Sequence, residues 1–393
     1  MTRNVLLAFD KFKDSLTAQA ACEITAAALK AVRPDWRVTN APLADGGEGF
    51  AGILTRSAGG RMIREQVAGP RGETLQAEFG MVPVEAIPEG ARRRLQLSSG
   101  VSSGGEVAII EMACASGLAL LPASKRDPWQ TTSRGTGELM CAAAHLGAVG
   151  ILLGVGGSAS NDLGLGALSA LGFRFTSSEG AIIDPPIPAR WKSIVGVSGA
   201  PLAALPPVHI ACDVTNPLLG MRGAATVYGP QKGLKEEDLP VLEAESKRLG
   251  ELLCSAVGKA PELMAVPGAG AAGGIAFGLM AGVGARLLPG FDLVSEWLDL
   301  DSRLGTADLV VTGEGRFDDS SLEGKGPGAV AARALELGKP VHVFAGQIAS
   351  VGRDQLSLHA ITPPGTPMVD ALRDAAKNLD VAVRRVFSIA DSV

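Results

Sequence analysis

Strand and helix patterns alternate at both ends of this chain. The amino-terminal part predicts a strand over 5–9, a helix over 17–32, a strand over 38–43 and a helix that begins near residue 48. After residue 290 the pattern predicts a helix over 293–304, a strand over 307–313, a helix over 329–337, strands over 340–346 and 359–364, and a closing helix through 386. Alternating strands and helices form parallel sheets, because the crossover helices cover both sheet faces. Together the two chain ends therefore predict one doubly wound α/β domain.

The middle of the chain has a different pattern, which begins near residue 61. Short strand patterns flank a Gly-Pro-Arg-Gly turn at 69–72, which is typical of a hairpin. Strands over 106–113 and 208–213, a helix within 136–146 and a charged amphipathic helix over 236–256 follow. We expect an inserted mixed α/β domain at 66–289, and a discontinuous α/β domain at 1–65 plus 290–393. An active cleft is expected where the two domains meet.

Composition excludes several function classes. The 393 residues carry a net charge of −5, and lysine and arginine are spread along the chain, so nucleic-acid binding is not expected. Five cysteines without a Cys-x-x-Cys pair indicate reduced thiols and a cytoplasmic location. The four histidines lack metal-ligand spacing, and each is interpreted as a packing or surface residue.

The stretch 263–285 is uncharged and must be compared with a membrane span. Its glycines at 270, 274, 278 and 282 repeat the G-x-x-x-G spacing of packed membrane helices. However, the stretch consists mainly of glycine and alanine, and few of its side chains strongly favour hydrocarbon. We interpret it as a closely packed, buried helix and expect no membrane association.

Polar loops follow three predicted strands, at the edge where open α/β sheets bind ligands. The loop 10–15 carries two aspartates and two lysines, and the loop 44–49 places Asp45 and Glu48 among three glycines. The third loop, 312–318, contains Gly313, Glu314, Gly315, Arg316 and Asp318. Carboxylates here could bind Mg²⁺, accept a proton or cap a helix, and lysines suit a carboxylate or a phosphate. If the three strands are neighbours, these loops converge on one site.

The segment GVGGSASND at 154–162 joins an apolar strand pattern to a helix pattern. Its backbone N–H groups, with a helix dipole behind them, could bind phosphate oxygens. Asn161 and Asp162 could equally cap the helix without any ligand. Both interpretations stay open on the sequence alone.

Other motifs narrow the chemistry. The Walker pattern is absent, and G-x-G-x-x-G matches at 47–52 and 268–273 are no more than glycine frequency produces by chance. None of the polar loops contains a histidine, which disfavours Ser-His-Asp hydrolysis. Acids, lysines and glycines favour phosphoryl transfer, which needs positioning, cations and one base. An NAD(P)-dependent reductase of a three-carbon hydroxy acid and a non-catalytic phosphosugar-binding module are the alternatives.

Eight segments stand in order along nearly the whole chain: DKFKDSLTAQAA, PLADGGEGF, GVGGSASNDLGLGAL, CDVTNPLLG, YGPQKG, PGAGAAGG, ADLVVTGEGRFD and GKGPGAVA. Together they resemble the signature segments of the bacterial glycerate kinase family, in its type I, glycerate 2-kinase-like group. The resemblance implies an ATP- and Mg²⁺-dependent kinase that converts D-glycerate to 2-phosphoglycerate. It also implies a flavodoxin-like domain formed by both chain ends. The protein could form a homodimer, although periodicity identifies no apolar face for one.

The resemblance and the polar loops together suggest the site residues. The expected catalytic and substrate-binding residues are Lys11, Lys13, Ser15, Asp45, Glu48, Asp213 and Arg316. Lys13 and Arg316, helped by Ser15, would hold the glycerate carboxylate. Asp45 and Asp213 are the candidates for the base or for a Mg²⁺ ligand, and an Asx-turn role for Asp213 stays open. The expected nucleotide-binding residues are Gly156, Gly157, Ser158, Asn161, Asp162, Gly313, Glu314 and Gly315, and the expected metal ligand is Asp318.

Two departures from the family pattern are visible. The first segment often reads Asp-Ser-Phe-Lys-Gly-Ser in the family, and here Asp14 replaces the glycine. The tract 91–106 is similar to a local insertion in a hairpin loop, without a catalytic role.

Overall fold

The computed structural model describes residues 2–97, 104–202, 205–322, 326–349 and 355–388. The chain divides into two compact units, one formed by Met1–Asp45 and Val294–Val393 and the other by Gly46–Leu293. The assignment of domains to 1–65 plus 290–393 and to 66–289 stays a prediction. Residues 46–65 belong to the second compact unit.

The strands are given in chain order. They are β1 (Asn4–Phe9), β2 (Arg37–Asn40), β3 (Arg61–Ala68), β4 (Thr74–Pro83), β5 (Glu106–Glu111), β6 (Gly150–Gly154), β7 (Arg174–Thr176), β8 (Gly196–Ser198), β9 (Val208–Ala211), β10 (Arg286–Leu288), β11 (Leu309–Phe317), β12 (Val341–Ile348) and β13 (Leu356–Ala360).

The α-helices connect these strands. They are α1 (Ala18–Val32), α2 (Phe50–Ser57), α3 (Glu89–Arg94), α4 (Ala113–Ser116), α5 (Arg134–His145), α6 (Leu165–Ala170), α7 (Ala224–Tyr228), α8 (Leu239–Ala256), α9 (Ala271–Val283), α10 (Gly290–Trp297), α11 (Leu300–Thr306), α12 (Gly326–Glu336), α13 (Met368–Arg373) and α14 (Ala375–Ser388).

The first unit is built on a five-stranded sheet in the order β13-β12-β11-β1-β2, and every neighbouring pair is parallel. Thr17 caps α1 by accepting a hydrogen bond from the Ala20 amide. Helices α1 and α14 pack on each other and on one face of the sheet, where Val5, Leu7 and Phe9 are buried. Helix α12 contacts β1, β11 and β12. The predicted parallel sheet from both chain ends is therefore present.

The second unit has a six-stranded sheet in the order β10-β9-β6-β5-β4-β3 and a small β7-β8 pair. The predicted hairpin is present, because β3 pairs antiparallel with β4. Strand β4 is also antiparallel to β5, whereas β5, β6, β9 and β10 run parallel to one another. Helix α2 packs on β4 and β5 in this unit. The chain as a whole is mixed α/β, as predicted.

Several predicted element boundaries are wrong. The strand predicted over 359–364 is β13, which runs over Leu356–Ala360. Residues 312–317, predicted as a loop, continue β11, because its pairing with β12 extends to Phe317 opposite Ile348. The glycines of this segment favour a loop when only the sequence is considered. In the structure, a Cβ at Gly313 would lie 1.8 Å from the Phe344 carbonyl oxygen. The close strand pairing therefore excludes a side chain at this position. The helix predicted over 293–304 is two helices, since Asp299 has a left-handed φ of 50° between α10 and α11.

A buried helix is present in the second unit, but it covers only part of the glycine-rich stretch 263–285. Helix α9 runs over Ala271–Val283, and Ala272, Gly273 and Gly274 near its start have left-handed φ values of 54°, 72° and 88°. A Cβ at Gly270 would lie 2.2 Å from the Pro217 carbonyl oxygen, and one at Gly278 would lie 2.1 Å from the Leu163 carbonyl oxygen. The repeated glycines therefore let neighbouring backbone pack directly against α9. Among the described residues, no helix has both the length and the apolar content that crossing a membrane requires. The tract 91–106 contains α3 and the start of β5, and its residues 98–103 lie outside the described part of the chain.

Two histidines form a packed pair in the first unit. His342 on β12 and His359 on β13 lie with Nδ1 and Nε2 2.9 Å apart, and their rings stack. Burial, with His359 nearby, lowers the pKa of His342 to about 4. Burial, with Arg385 nearby, also lowers the pKa of His359. The pair is therefore neutral in the folded protein at neutral pH, which agrees with a packing role.

This pair predicts an acid-sensitive fold. In the unfolded chain a histidine takes up a proton near pH 6.5, whereas folded His342 resists it until about pH 4, so stability falls as pH drops through this window. We expect the free energy of unfolding to decrease by about 1–2 kcal/mol between pH 7 and pH 5 because of His342, allowing for its partial exposure to water. Urea titrations at both pH values measure it. His342→Gln should flatten this dependence, whereas His145→Gln, at an exposed histidine, should not; equal pH dependence in all three proteins would contradict the prediction.

Candidate active site

A polar cavity of about 270 Å³ lies at the carboxyl edge of the five-stranded sheet, within the first unit. Its lining residues are Asp10, Leu43, Ala44, Asp45, Glu314, Arg316, Asp318, Ser321, Gly326 and Pro327. The acids come from the ends of β1, β2 and β11, so the predicted convergence of three polar segments is present here. A second cavity of about 350 Å³ in the other unit has a mainly apolar lining, with Pro230, Leu234 and Leu239, and contains none of the predicted site residues.

Asp10 follows β1 directly and enters the cavity. Its amide donates a hydrogen bond of 3.0 Å to the Gly313 carbonyl, which ties it to β11. Its carboxylate Oδ1 accepts a hydrogen bond from the Lys11 amide at 2.7 Å. Burial raises the pKa of Asp10 to about 6, Lys11 opposes this effect, and the charge of Asp45 adds to it. A carboxyl group in this state can exchange a proton near neutral pH.

Asp45 lies at the mouth of this cavity and is half exposed. Its Oδ1 lies 3.8 Å from Lys11 Nζ, and the side chains are 51% and 26% exposed respectively. The ion pair brings one predicted lysine and one predicted aspartate together at the sheet edge. Such a water-exposed pair contributes little to stability, so its position matters more than its energy.

Glu314, on the extended β11, is mostly buried. Burial raises its pKa to about 7, a hydrogen bond from Ser321 opposes the shift, and the charges of Asp10 and Asp318 add to it. Its Oε1 is buried and has no hydrogen-bond partner among the described residues. Arg316 Nε lies 3.1 Å from Asp318 Oδ2 in a pair that is open to water on the arginine side. Repelling carboxylates in one cavity attract a cation.

The predicted lysine loop is a tight turn. Phe12 and Leu16 exchange backbone hydrogen bonds, and the Ser15 hydroxyl donates to the Phe12 carbonyl at 3.0 Å. Lys13 is exposed on this turn. Asp14 has a φ of 62°, in the left-handed region that favours glycine. The family's glycine at this position therefore has a local conformational reason.

Asp162, in the second unit, is fully buried. Its Oδ2 accepts hydrogen bonds from the Ser133 amide at 2.7 Å, the Ser133 hydroxyl at 2.8 Å and the Gly166 amide at 3.2 Å. Its Oδ1 accepts one from the Gly164 amide at 3.2 Å. Burial raises the pKa of Asp162, and these hydrogen bonds oppose the shift. The contacts to Gly164 and Gly166 are those of a residue that holds the start of α6.

Lys232 lies beside this loop and is also fully buried. Its Nζ donates to Ser158 Oγ at 2.8 Å and to the Ser160 carbonyl at 2.6 Å. Burial lowers the pKa of Lys232 to about 7, and the Asp162 carboxylate opposes the shift. Asn161 Oδ1 and Ser160 Oγ are buried without a hydrogen-bond partner among the described residues. Lys232 therefore fixes Ser158 in place from within the unit.

The glycines of this loop make close backbone contacts. The Gly156 amide donates to the Gly46 carbonyl at 2.9 Å, and a Cβ at Gly156 would lie 2.5 Å from Gly47 Cα. Gly157 has a left-handed φ of 72°. These contacts are a structural reason for the glycines at 46–47 and 154–157 that needs no bound nucleotide.

The remaining predicted residues lie in the second unit as well. Asp213 accepts hydrogen bonds from the Gly290 and Phe291 amides at 3.0 and 2.9 Å, at the start of α10. Its carboxylate therefore caps a helix end, which is a different arrangement from the Asx turn considered on sequence. Glu48 is exposed in the loop before α2. The first unit thus brings together Lys11, Asp45, Glu314, Arg316 and Asp318, with Lys13 and Ser15 on the adjoining turn.

Two residues have only weak sequence signals. Asp10 is one of several acids in the polar loops, although it is the first polar residue after an apolar strand. Lys232 lies within the segment YGPQKG, and a lysine buried by distant elements leaves no local signal of its burial.

The fold and the charged cavity are those of an α/β protein with a polar ligand site at the carboxyl edge of a parallel sheet. The model of the glycerate kinase family matches residues 5–391, and the chain belongs to this family of kinases. It is 38% identical to a glycerate kinase of Bacillus subtilis (strain 168) over 392 residues, covering 97% of this chain and 96% of that protein. It is 37% identical to the glycerate 2-kinase of Escherichia coli (strain K12), covering 88% and 85%. A crystal structure of a glycerate kinase 2 candidate from Salmonella typhimurium LT2 is similar with a TM-score of 0.76, 34% identity and 98% coverage of both chains.

The turn at Asp14 predicts a stabilising substitution. Asp14→Gly should increase the free energy of unfolding by about 0.5–1 kcal/mol, because glycine adopts a left-handed φ without steric cost. Asp35→Gly is the matched control, since Asp35 is an exposed turn aspartate outside the left-handed region and should lose stability. Urea unfolding measures both, and a destabilised Asp14→Gly protein would contradict the conformational explanation.

The buried lysine predicts a large loss of stability. Lys232→Met should reduce the free energy of unfolding by about 3 kcal/mol, because the Ser158 hydroxyl, the Ser160 carbonyl and the Asp162 charge would lose their buried cation. Lys235→Met, at an exposed lysine in the same segment, should change it by less than about 0.5 kcal/mol. The two variants are compared by their midpoints of unfolding in denaturant. Similar midpoints would show that the buried contacts of Lys232 do not contribute to stability.

Proposed function

We propose that this protein is an ATP-dependent kinase that phosphorylates D-glycerate at its 2-hydroxyl group to give 2-phosphoglycerate. Membership of the glycerate kinase family supports the reaction class. The names of the similar proteins support the acceptor, and the E. coli relative, named a glycerate 2-kinase, supports the 2-position.

The observation that carries this proposal is the cavity at the carboxyl edge of the first unit's sheet. It combines four carboxylates, Asp10, Asp45, Glu314 and Asp318, with the cations Arg316 in its lining and Lys11 at its mouth. Phosphoryl transfer needs both signs of charge, because the phosphates carry a metal ion and the acceptor is itself an anion. The cavity volume of about 270 Å³ suits the small acceptor with the transferring phosphoryl group.

The acidic groups also fit a magnesium ion. No set of three or more His, Cys, Asp and Glu side chains within the described ranges is arranged to hold a metal by itself. Mg²⁺ in kinases is usually held by one or two carboxylates together with phosphates and water, so Asp318 with Glu314 is a sufficient protein contribution. Glu314 Oε1, which has no hydrogen-bond partner within the described ranges, supports this assignment. When bound, the ion would neutralise charge on the transferring phosphates.

The substrate anion is assigned to the cationic side of the site. Arg316 and Lys13, with the Ser15 hydroxyl, would hold the glycerate carboxylate, and Lys11 would remain paired with Asp45 beside it. Glu48 stays a predicted substrate contact. These side chains orient the acceptor, and orientation alone supplies a large part of the rate in phosphoryl transfer.

The nucleotide is assigned to the glycine segments. Gly313, Glu314 and Gly315 border the acidic cavity and would receive the phosphates there. The loop with Gly156, Gly157, Ser158, Asn161 and Asp162 stays a predicted nucleotide contact, although its observed hydrogen bonds also give it a structural role. We propose that Lys232 orients the Ser158 hydroxyl within this loop.

We further propose that the first unit is a doubly wound, flavodoxin-like domain. Its strands, counted within the unit, have the order 2-1-3-4-5 and are all parallel, which supports this arrangement. A cytoplasmic location, a homodimer and a catalytic role for Asp213 stay predictions.

The function is tested by incubating the protein with ATP, Mg²⁺ and D-glycerate and recording ³¹P NMR spectra of the product. A phosphate ester signal split by one proton would support transfer to the 2-hydroxyl, and a signal split by two protons would assign the 3-hydroxyl. Intact ATP after a long incubation would exclude the proposed substrate. Omission of Mg²⁺ should abolish turnover.

The acceptor assignment predicts the effect of Arg316→Gln. The KM for glycerate should increase about 10- to 100-fold, because a charge-assisted contact to the carboxylate is lost, while kcat and the KM for ATP change much less. Arg37→Gln, at an exposed arginine on the amino-terminal edge of the same sheet, is the control and should keep wild-type kinetics. An unchanged KM for glycerate in Arg316→Gln would remove Arg316 from the acceptor site.

A further inference from the structure

Asp10 occupies a central position at the carboxyl edge of the first sheet. It directly follows β1, which lies between β2 and β11. Glu314 lies on β11, Asp318 directly follows β11, and Asp45 lies in the segment after β2. The Asp10 backbone is held by the bond from its amide to the Gly313 carbonyl. A side chain on a central strand end is positioned more rigidly than one on a loop, which suits a group that must meet a reacting atom.

One oxygen of the Asp10 carboxylate accepts a hydrogen bond within the chain, and the other lies near Gly326, which also lines the cavity. Oδ1 accepts the Lys11 amide hydrogen bond. Oδ2 lies 3.7 Å from the point that a Cβ on Gly326 would occupy, at the start of α12. Gly326 has a left-handed φ of 52°, and it leaves room in front of Oδ2 that a larger residue would reduce.

The two carboxylates suggested by sequence have other surroundings. Asp45 is half exposed, and its Oδ1 lies 3.8 Å from Lys11 Nζ at the mouth of the cavity. Both oxygens of Asp213 accept amide hydrogen bonds at the start of α10. A base must present an oxygen to the acceptor hydroxyl, whereas Asp45 is paired with a cation and both oxygens of Asp213 are bonded to a helix end.

Asp10 is more buried than Asp45 and does not cap a helix as Asp213 does. Burial is the main cause that raises its pKa to about 6, and the Asp45 charge acts in the same direction. A carboxylate with a pKa close to the working pH is ionised and still a useful proton acceptor. This property adds to the positional argument and does not replace it.

We propose that Asp10 is the catalytic base of the reaction and that Oδ2 accepts the proton of the acceptor hydroxyl. The inference rests on the proposed kinase function. As the hydroxyl oxygen forms its bond to the γ-phosphorus, its proton moves to Asp10 and the bond from the γ-phosphorus to the bridging oxygen breaks. The electron pair of that bond leaves with ADP, and Asp10 later releases the proton to water. The products are phosphoglycerate, ADP and one proton.

The test compares Asp10→Asn with the wild-type protein, using ADP release and ³¹P NMR of the product. We expect kcat to decrease at least about 100-fold, as general-base loss requires, while the dissociation constant of ATP·Mg²⁺ changes less than about threefold. The wild-type protein should lose activity on the acid side of its pH profile, and the residual activity of Asp10→Asn should not show this decline. The melting temperature should be unchanged or higher, because the amide removes a buried charge.

Control variants distinguish base catalysis from other roles. Asp35→Asn, at an exposed aspartate near the opposite edge of the sheet, should keep wild-type kinetics. Asp45→Asn should mainly raise the KM for glycerate and retain the acid decline, since it releases Lys11. If Asp45→Asn instead loses the decline and Asp10→Asn keeps it, Asp45 is the base and the proposal is overturned.

Each remaining outcome has one meaning. Near-wild-type kcat in Asp10→Asn overturns the assignment and leaves the kinase function intact. Equal losses of ATP·Mg²⁺ binding and turnover would make Asp10 a metal ligand and also overturn it. If Asp10→Asn lowers the melting temperature and reduces activity only in proportion to the loss of folded protein, Asp10 has a structural role at the start of α12, and the assignment is overturned. If the wild-type protein transfers no phosphoryl group to glycerate, the proposed function fails, and this inference fails with it.

Discussion

The pairing of β1 with β11 is the interaction on which the first unit and its cavity depend. Val5 pairs with Leu309 and Phe9 with Gly313, so residues about three hundred positions apart in the chain form adjacent central strands. The parallel direction brings both carboxyl ends to one edge, where Asp10 and Glu314 follow or end the strands. The acids therefore lie close together because the hydrophobic strands pair. Burial of the apolar core offsets the electrostatic repulsion between the carboxylates.

The two units bury charge in different ways. In the first, the acids share one cavity, and burial together with repulsion between carboxylates raises the pKa of Asp10 and of Glu314. In the second, Asp162 accepts hydrogen bonds from Ser133 and Gly166, and Lys232 donates hydrogen bonds to Ser158 and to the Ser160 carbonyl. A group whose hydrogen bonds are all made by protein stabilises the structure, whereas Glu314 Oε1 has no hydrogen-bond partner among the residues that the structure describes.

Glycine has a related double meaning in this chain. On sequence, the glycines at 154–157 and 313–315 are equally typical of phosphate loops and of close packing. The contacts of Gly156 with Gly46 and Gly47, and of Gly313 with Phe344, give a packing reason at both places. A residue without a side chain serves both purposes through the same property, which is close approach to the backbone, so only its neighbours distinguish them.

The sequence by itself determined the alternation of strands and helices, the parallel sheet from both chain ends, the β3-β4 hairpin, the buried glycine helix and the family. These follow from local periodicity, from turn residues and from ordered motifs, all of which are written in neighbouring positions. It could not show that β11 continues through Gly313 to Phe317, because that extension depends on β12 as a partner. Nor could it separate Asp10 from Asp45 and Asp213, since all three follow or adjoin strands. Burial, ion pairing and helix capping distinguish them, and each of these is a property of distant residues that only the tertiary structure brings into contact.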